Sequence, residues 1–253
     1  MRSRVDTPVV TALPLALSGL AIGLAYGVFG AGGSAFATPA LVLLGASPLA
    51  AVASPLPFML PAALGSSRQH LRNGSLDRRV ALLVICGGLP TTILGSLLSS
   101  QVPGHDLLIG SGVVLGAVGL RIAFDRSRPG SRRAMSTPAM VAAGAAIGLL
   151  TGLLANGGGF LLVPFFVVGL GMTSHEAAGT SMVAASALTI PSLITHAALG
   201  HIDWAIALAF GVGMFPGTLI GTSLGHRIPT AVAKPAFGLL LAGFASYFLV
   251  RAV

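Results

Sequence analysis

Charge is scarce in this chain of 253 residues: 8% are charged, and the only acids are Asp6, Asp77, Asp106, Asp125, Glu176 and Asp203. A soluble domain carries about 25% charged residues, so the shortage excludes an ordinary water-facing surface. Hydrophobic residues make up 54% and mean hydropathy is +0.92. Apolar runs of about 20 residues recur from Pro14 to Val250, which suits membrane-spanning helices along the whole chain and leaves no soluble domain. The six acids all fall at the edges of these runs. Proton pumps and cation carriers usually hold acids within the span, so neither a cation substrate nor a buried-carboxylate relay is expected.

Other absences narrow the chemistry further. The one cysteine, Cys86, has no intrachain partner and excludes a disulfide framework; inside an apolar run it reads as a small core residue. The six histidines are scattered at segment ends without an H-E-x-x-H pattern or a Cys/His cluster, so no metal or other cofactor is expected. The glycine runs lack the Gly-Lys-Ser/Thr ending of a phosphate-binding loop, which argues against direct ATP drive. The formal charge of +8 does not mark a nucleic-acid surface. Its arginines form two clusters, Arg68, Arg72, Arg78 and Arg79, then Arg121, Arg126, Arg128, Arg132 and Arg133, and both flank apolar runs where cytoplasmic loops are expected.

What the chain has in abundance is glycine, and it recurs. At an offset of 125, "GLAIGLAYGVFGAGGSAFATP" from residue 19 lies over "GAAIGLLTGLLANGGGFLLVP" from residue 144. One inserted residue later the match resumes at 126, where His70, Gly74, Asp77, Gly87, Pro90 and Gly95 meet His196, Gly200, Asp203, Gly213, Pro216 and Gly221. The expectation is two copies of one unit, 1–124 and 138–253, joined by a basic cytoplasmic linker, 125–137. The opening basic-then-apolar stretch, which alone resembles a signal peptide, has an internal copy and is read as part of the first unit.

Each unit divides into four apolar segments, about eight in all: 13–44, 48–68, 79–100 and 106–124, then 138–170, 175–198, 203–225 and 231–250. The first of each is too long. About 32 residues would make a helix near 48 Å, against a hydrocarbon core of about 30 Å. Glycines 30, 32 and 33, and 157 to 159, with Pro39 and Pro164 beyond, mark the break. Two half-helices around a glycine turn would make either a re-entrant hairpin, with inverted units, or one interrupted span, with parallel units. The hairpin with inverted units is the expectation, because inverted repeats around discontinuous helices recur in transporters. Glycines four apart, as in Gly19, Gly23 and Gly27 or Gly144, Gly148 and Gly152, read as packing seams.

A helix break inside a bilayer frees backbone N–H groups that protein or a water-filled cavity must satisfy. At the start of the second half-helix they meet a positive dipole end, an arrangement suited to an anion. The candidate binding residues are Gly32, Gly33, Ser34 and Thr38 in the first unit and Asn156, Gly157, Gly158 and Gly159 in the second, with Thr180 and Ser181 nearby in the "GTSM" stretch. His70 and His196 organise turns with Asp77 and Asp203 or gate the path, and Arg68 and Gln69 would attract an anion at its mouth. His175 and Glu176 look like a helix N-terminus. A serine hydrolase using Ser34 with His70 or His196 is the rival from another class; "GGSA" is a poor nucleophile turn, and the matching position is Gly159.

The paired "GAGGSAFATP" and "NGGGFLLVP", the "GTSM" and the two turns "HLRNGSLD" and "HAALGHIDW" resemble the sulfite exporter TauE/SafE family of membrane transporters over nearly the whole chain. The resemblance implies a multi-pass protein of the bacterial cytoplasmic membrane exporting sulfite or an organosulfonate. The expected partners are the small anion and the bilayer, with no nucleic acid, and a homo-oligomer is left open. Two departures stand in the first half: Ser34 replaces the third glycine of the run, and Ser54-Pro55 stands where the second copy has Thr180-Ser181.

Overall fold

A computed structural model describes residues 12–124, 131–155, 159–225 and 227–252. Among these residues every regular element is a helix. Asp6, Asp125, Arg126, Arg128, Asn156, Gly157 and Gly158 lie outside the described residues.

The first half contains α1 (Ala12–Val28), a 3-10 helix (Gly30–Phe36), α2 (Ala37–Leu43), α3 (Pro48–Ala53), α4 (Leu56–Arg72), α5 (Arg78–Leu98) and α6 (Gly104–Ala123). The second contains α7 (Thr137–Leu154), α8 (Gly159–Pro164), a π-helical turn (Phe165–Gly169), α9 (Ser174–Ala198), α10 (Trp204–Gly225) and α11 (Thr230–Ala252). Six stretches are long and apolar enough to cross a membrane: Pro48–Arg72, Arg78–Gln101, Gly104–Ile122, Thr137–Leu154, Ser174–Ala198 and Trp204–Gly225. The chain is a multi-pass membrane protein. Leu82, Leu89, Ile93 and Leu97 form an exposed apolar stripe along α5, as Leu208, Val212 and Phe215 do on α10. Cys86 stands on the α5 stripe and is exposed, contrary to its reading as a core residue. The inward faces of α5 are taken by Val84, Gly87 and Gly88, and position 86 turns away from them.

Glycine fixes which helices meet. Gly19, Gly23 and Gly27 of α1 press on the backbones of Phe210, Met214 and Thr218 of α10, and Gly213, Gly217 and Gly221 press back on Ala16, Leu20 and Leu24. In the same manner Gly144, Gly148 and Gly152 of α7 lie on Val84, Gly88 and Thr92 of α5. A Cβ at any of these glycines would fall on main-chain atoms, so the close approach depends on its absence. Residue numbers rise together in both seams, so α1 runs parallel to α10 and α7 parallel to α5.

The remaining pairings set the course of the chain. Phe58 and Ser66 of α4 meet Gly211 and Thr222 of α10, again in parallel. Thr180 and Leu188 of α9 meet Asp77 and Gly88 at the start and middle of α5, also in parallel. Conversely, His70 near the end of α4 lies against Gly179 near the start of α9, while Ser54 before α4 bonds Asp203 beyond the end of α9. Hence α1, α4 and α10 point one way, and α5, α7 and α9 the other. Since α1 and α4 point the same way, the chain between them travels back. The reversal is direct: Gly33 packs on the backbone of Ala25 and Tyr26, seven to eight residues earlier, which a continuous helix would hold about 10 Å or more away.

Arg68, Arg72, Arg78, Arg79, Arg121, Arg132, Arg133 and Arg227 all lie at the end where α4 and α10 finish and α5, α7 and α9 begin. His196, His201 and Asp203 lie at the opposite end.

Candidate functional site at two helix breaks

The first break starts at Gly30, whose φ of +74° is a left-handed turn that glycine adopts without penalty. The glycine run that follows is not a bare turn, as expected from sequence, but winds directly into the 3-10 helix. Its first amide is already engaged: Ala31 N–H donates to Ser181 Oγ at 3.2 Å, and that hydroxyl donates to Ala178 O at 2.9 Å. Ser181 thus joins the first break to α9, about two turns into that helix. Gly32 and Gly33 are buried, Gly32 against Phe237 and Val163. Phe29 and Phe36 flank Phe237 with ring centroids at 5.1 and 6.3 Å, which seals this side with aromatic surface.

The second break starts at Ala155, which has a φ of +46° and is the one non-glycine residue of positive φ among the described residues. Gly159 opens α8 and presses on the carbonyl of Ala31, where no side chain would fit. The two breaks therefore touch. Asn156, Gly157 and Gly158 lie between these positions, outside the described residues.

Among the described residues, buried side-chain atoms with no hydrogen-bond partner within the protein include Tyr26 Oη, Ser34 Oγ, Ser96 Oγ and Ser192 Oγ. The first two belong to the two limbs of one hairpin, which meet where Gly33 touches Tyr26. Buried polar groups in folded proteins are nearly all bonded, so such atoms call for a ligand or water. Sequence reasoning passed over Tyr26. Its signal was faint: a lone polar group in an apolar run, standing opposite Thr151 at the 125-residue offset. Thr38, on α2, is buried beside the same hairpin.

At the arginine-rich end, Thr180 Oγ1 accepts from the Asp77 N–H at 3.1 Å. The mouth above it is tied by Arg132, whose guanidinium bonds both Asp77 and, at 2.9 Å, Glu176. Burial pushes the Asp77 carboxyl up, but the bonds from Arg132 and from the Val80 N–H outweigh it and hold the group below the usual aspartate range. Glu176 also closes a capping box with Thr173, so the cap of α9 is Thr173 rather than the Ser-His-Glu run itself. A cavity of about 250 Å³ opens here, lined by Arg79, Arg132, Arg133 and Met172 among others. Arg68 is exposed on α4, and Gln69 accepts from Ser223 Oγ of α10 at 3.5 Å.

The two histidines occupy similar turns with different partners. His70 Nδ1 lies 2.9 Å from Ser75 Oγ. His196 Nδ1 lies 3.0 Å from His201 Nδ1, and its Nε2 lies 3.0 Å from Gly152 O at the end of α7. Neither imidazole contacts Ser34, whose hydroxyl has no partner, so no nucleophile and base are paired here. Asp77 and Asp203 cap α5 and α10 by accepting from Val80 N–H and Ile206 N–H.

Apolar spanning helices around two broken segments in contact define a membrane protein of the transporter class. The chain belongs to the sulfite exporter TauE/SafE family, whose model matches residues 15–248. It is 29% identical over 243 residues to a probable membrane transporter protein of Xylella fastidiosa, covering 92% of this chain and 93% of that one. It is 26% identical to the probable membrane transporter protein YjnA of Bacillus subtilis, covering 83% and 89%. No solved structure matches the chain.

Proposed function

We propose that this protein is a secondary carrier that exports a small sulfur-containing anion, sulfite or an organosulfonate, across the bacterial cytoplasmic membrane, holding it where the two breaks touch. The observation that carries the reading is the pair of unpartnered hydroxyls, Tyr26 Oη and Ser34 Oγ, fully buried beside the crossing of the breaks. A hydroxyl that donates to no protein atom is suited to an oxyanion, which accepts through several oxygens. Membership of a family described as sulfite exporters supports the substrate class. With the interior negative, outward movement of one anionic charge is favoured by about 2.3 kcal/mol per 100 mV, so export needs no further drive.

The scaffold in this reading is two inverted units, 1–124 and 138–253, each with a re-entrant hairpin at its first segment. The opposed directions of α1 and α7 support it. So do the left-handed positions, Gly30 with Ala155, Gly45 with Gly171 and Gly74 with Gly200, each pair separated by the sequence offset of 125 or 126. The units also exchange equivalent bonds: Asp77 N–H donates to Thr180 Oγ1, and Asp203 N–H to Ser54 Oγ at 3.0 Å. The arginine-rich end is cytoplasmic by the positive-inside rule.

The test is flux from proteoliposomes loaded with sulfite or a small sulfonate, for wild type and Ser34→Ala. Export by wild type, with a weakened dependence on anion concentration in the variant and unchanged thermal stability, is expected. Absence of sulfite, sulfonate and other small-anion flux would overturn the function. Unaltered kinetics in Ser34→Ala would move the site elsewhere.

A further inference from the structure

The two histidine turns differ in one respect that the transport reading does not use. At the cytoplasmic end His70 is bonded to a serine, whereas at the opposite end the serine's place, at an offset of 126, is taken by a second histidine, His201. We infer that His196 and His201 form a one-proton binding site facing the extracytoplasmic mouth, beside the second helix break, in which the proton taken up at His201 is held against the bare nitrogen of His196.

The hydrogen bonds fix the starting tautomers. Gly152 O can only accept, so His196 Nε2 carries the hydrogen, and a neutral imidazole has no second one. His196 Nδ1 is then bare and accepts from His201 Nδ1–H, which leaves His201 Nε2 bare as the place where a proton enters. His201 is half-buried and His196 is 2% exposed. A proton arriving from water at His201 Nε2 makes that ring a cation, whose Nδ1–H donates a charge-assisted hydrogen bond to His196 Nδ1. One N–H bond forms as one O–H bond of hydronium breaks, and the charge stays at the half-buried His201 rather than on the buried His196. His196 in turn meets Gly152 O near the carbonyl end of α7, three residues before the left-handed Ala155.

The surroundings make this charge unusual. His201 is the ionisable side chain bonded to His196, and the α7 group that His196 meets is the Gly152 carbonyl, which carries no titratable proton. Asp203 is turned to the start of α10, accepting from Ala205 and Ile206 N–H, and its own N–H goes to Ser54. His105 and Asp106 are exposed at the start of α6, at the same end. Burial pushes His201 below the ordinary imidazole range, so it takes up its proton further to the acid side than a solvated imidazole does. A positive charge at His201 holds an anion at the outer end of the path and delays its release.

This inference rests on the transport reading for its flux consequence but not for its chemistry. Histidine 15N NMR of the protein in nanodiscs, titrated between about pH 5 and pH 8, reads the pair directly; flux at varied external pH reads the coupling. The expected result is that His196 and His201 titrate together as one proton, and that external acid slows export several-fold. In His201→Ser, which reproduces the His70–Ser75 arrangement, export no longer depends on external pH. Placing the missing imidazole at the other mouth by Ser75→His gives a new dependence on internal pH. Independent titration of the two histidines, or an unchanged external pH profile in His201→Ser, overturns the inference. If wild type moves no anion at any pH while the pair still titrates as one, the proposed function fails and the proton site stands.

Discussion

At Gly30 the backbone turns left-handed with no Cβ to resist it, whereas at Ala155, the matching position of the second half, a residue with a side chain makes the same turn. Beyond the turn the contrast reverses. The first break carries a hydroxyl at Ser34 with room for its Cβ, while the second has Gly159 forced bare against Ala31. The left-handed turn is imposed by the course of the chain, which must come back at both places, and residue type only sets its cost. What glycine secures at 159 is closeness to the other break. Chemistry and closeness have been divided between two segments that began with the same pattern.

Substitutions that remove the closeness have the largest expected effect. Gly159→Ala drives a Cβ into the Ala31 main chain, and with overpacking in a tight core costing about 1–3 kcal/mol or more, little monodisperse protein should survive size-exclusion in detergent. Gly30→Ala combines a left-handed cost of about 1–2 kcal/mol with a Cβ placed 2.6 Å from Ala178 Cα, and its unfolding temperature should fall sharply. Next is Ser181→Ala, which strands the Ala31 N–H; leaving a buried donor unpaired costs about 1–3 kcal/mol, and hydrogen exchange at Ala31 should quicken with it. Ala155→Gly runs the other way. Relief of the left-handed strain, less the extra freedom of the unfolded chain, should stabilise by about 1 kcal/mol. If Ala155→Gly destabilises instead, the equivalence of the two turns is broken.

The smallest effect concerns the arginine-rich mouth. Asp77→Asn removes one half of the Arg132 bridge, whose side chains are 50% and 20% exposed, and such partly solvated pairs contribute up to about 1 kcal/mol. Asp77 has a lowered pKa in the folded protein. Its contribution is therefore full above the ordinary aspartate value of about 4 and disappears as pH falls through the lowered folded value. The difference in unfolding temperature between wild type and Asp77→Asn should be present near neutrality, shrink with salt and vanish in strong acid.

Much of this arrangement was legible because glycine and proline act locally. Small residues four apart cannot bury side chains and so announce a seam, and Gly19, Gly23 and Gly27 meet α10 as that spacing implies. The breaks were visible for the same reason. The partners of each seam were not: nothing in α1 states that its groove fits α10 and not its own neighbour. Ala155 was invisible as a left-handed residue because alanine favours helix, and the strain is set by contacts far along the chain. Ser181 announced a polar group at depth but not its partner, the Ala31 amide 150 residues away. His201 was in plain view in "HAALGHID", and only its alignment with Ser75 makes it an imidazole where the other half has none.

The crossed seams also govern the order in which the molecule is assembled. The groove of α5 finds α7 after about 60 residues of further synthesis, so that pair closes early. The groove of α1 waits for α10, about 190 residues later, which at ribosomal speeds is about 10–40 s. Throughout that interval α1 lacks the helix that its glycine-lined surface is made for. α1 is thus made well before the helix that fastens it, and the glycine seam between α1 and α10 ties the early part of the chain to the late part.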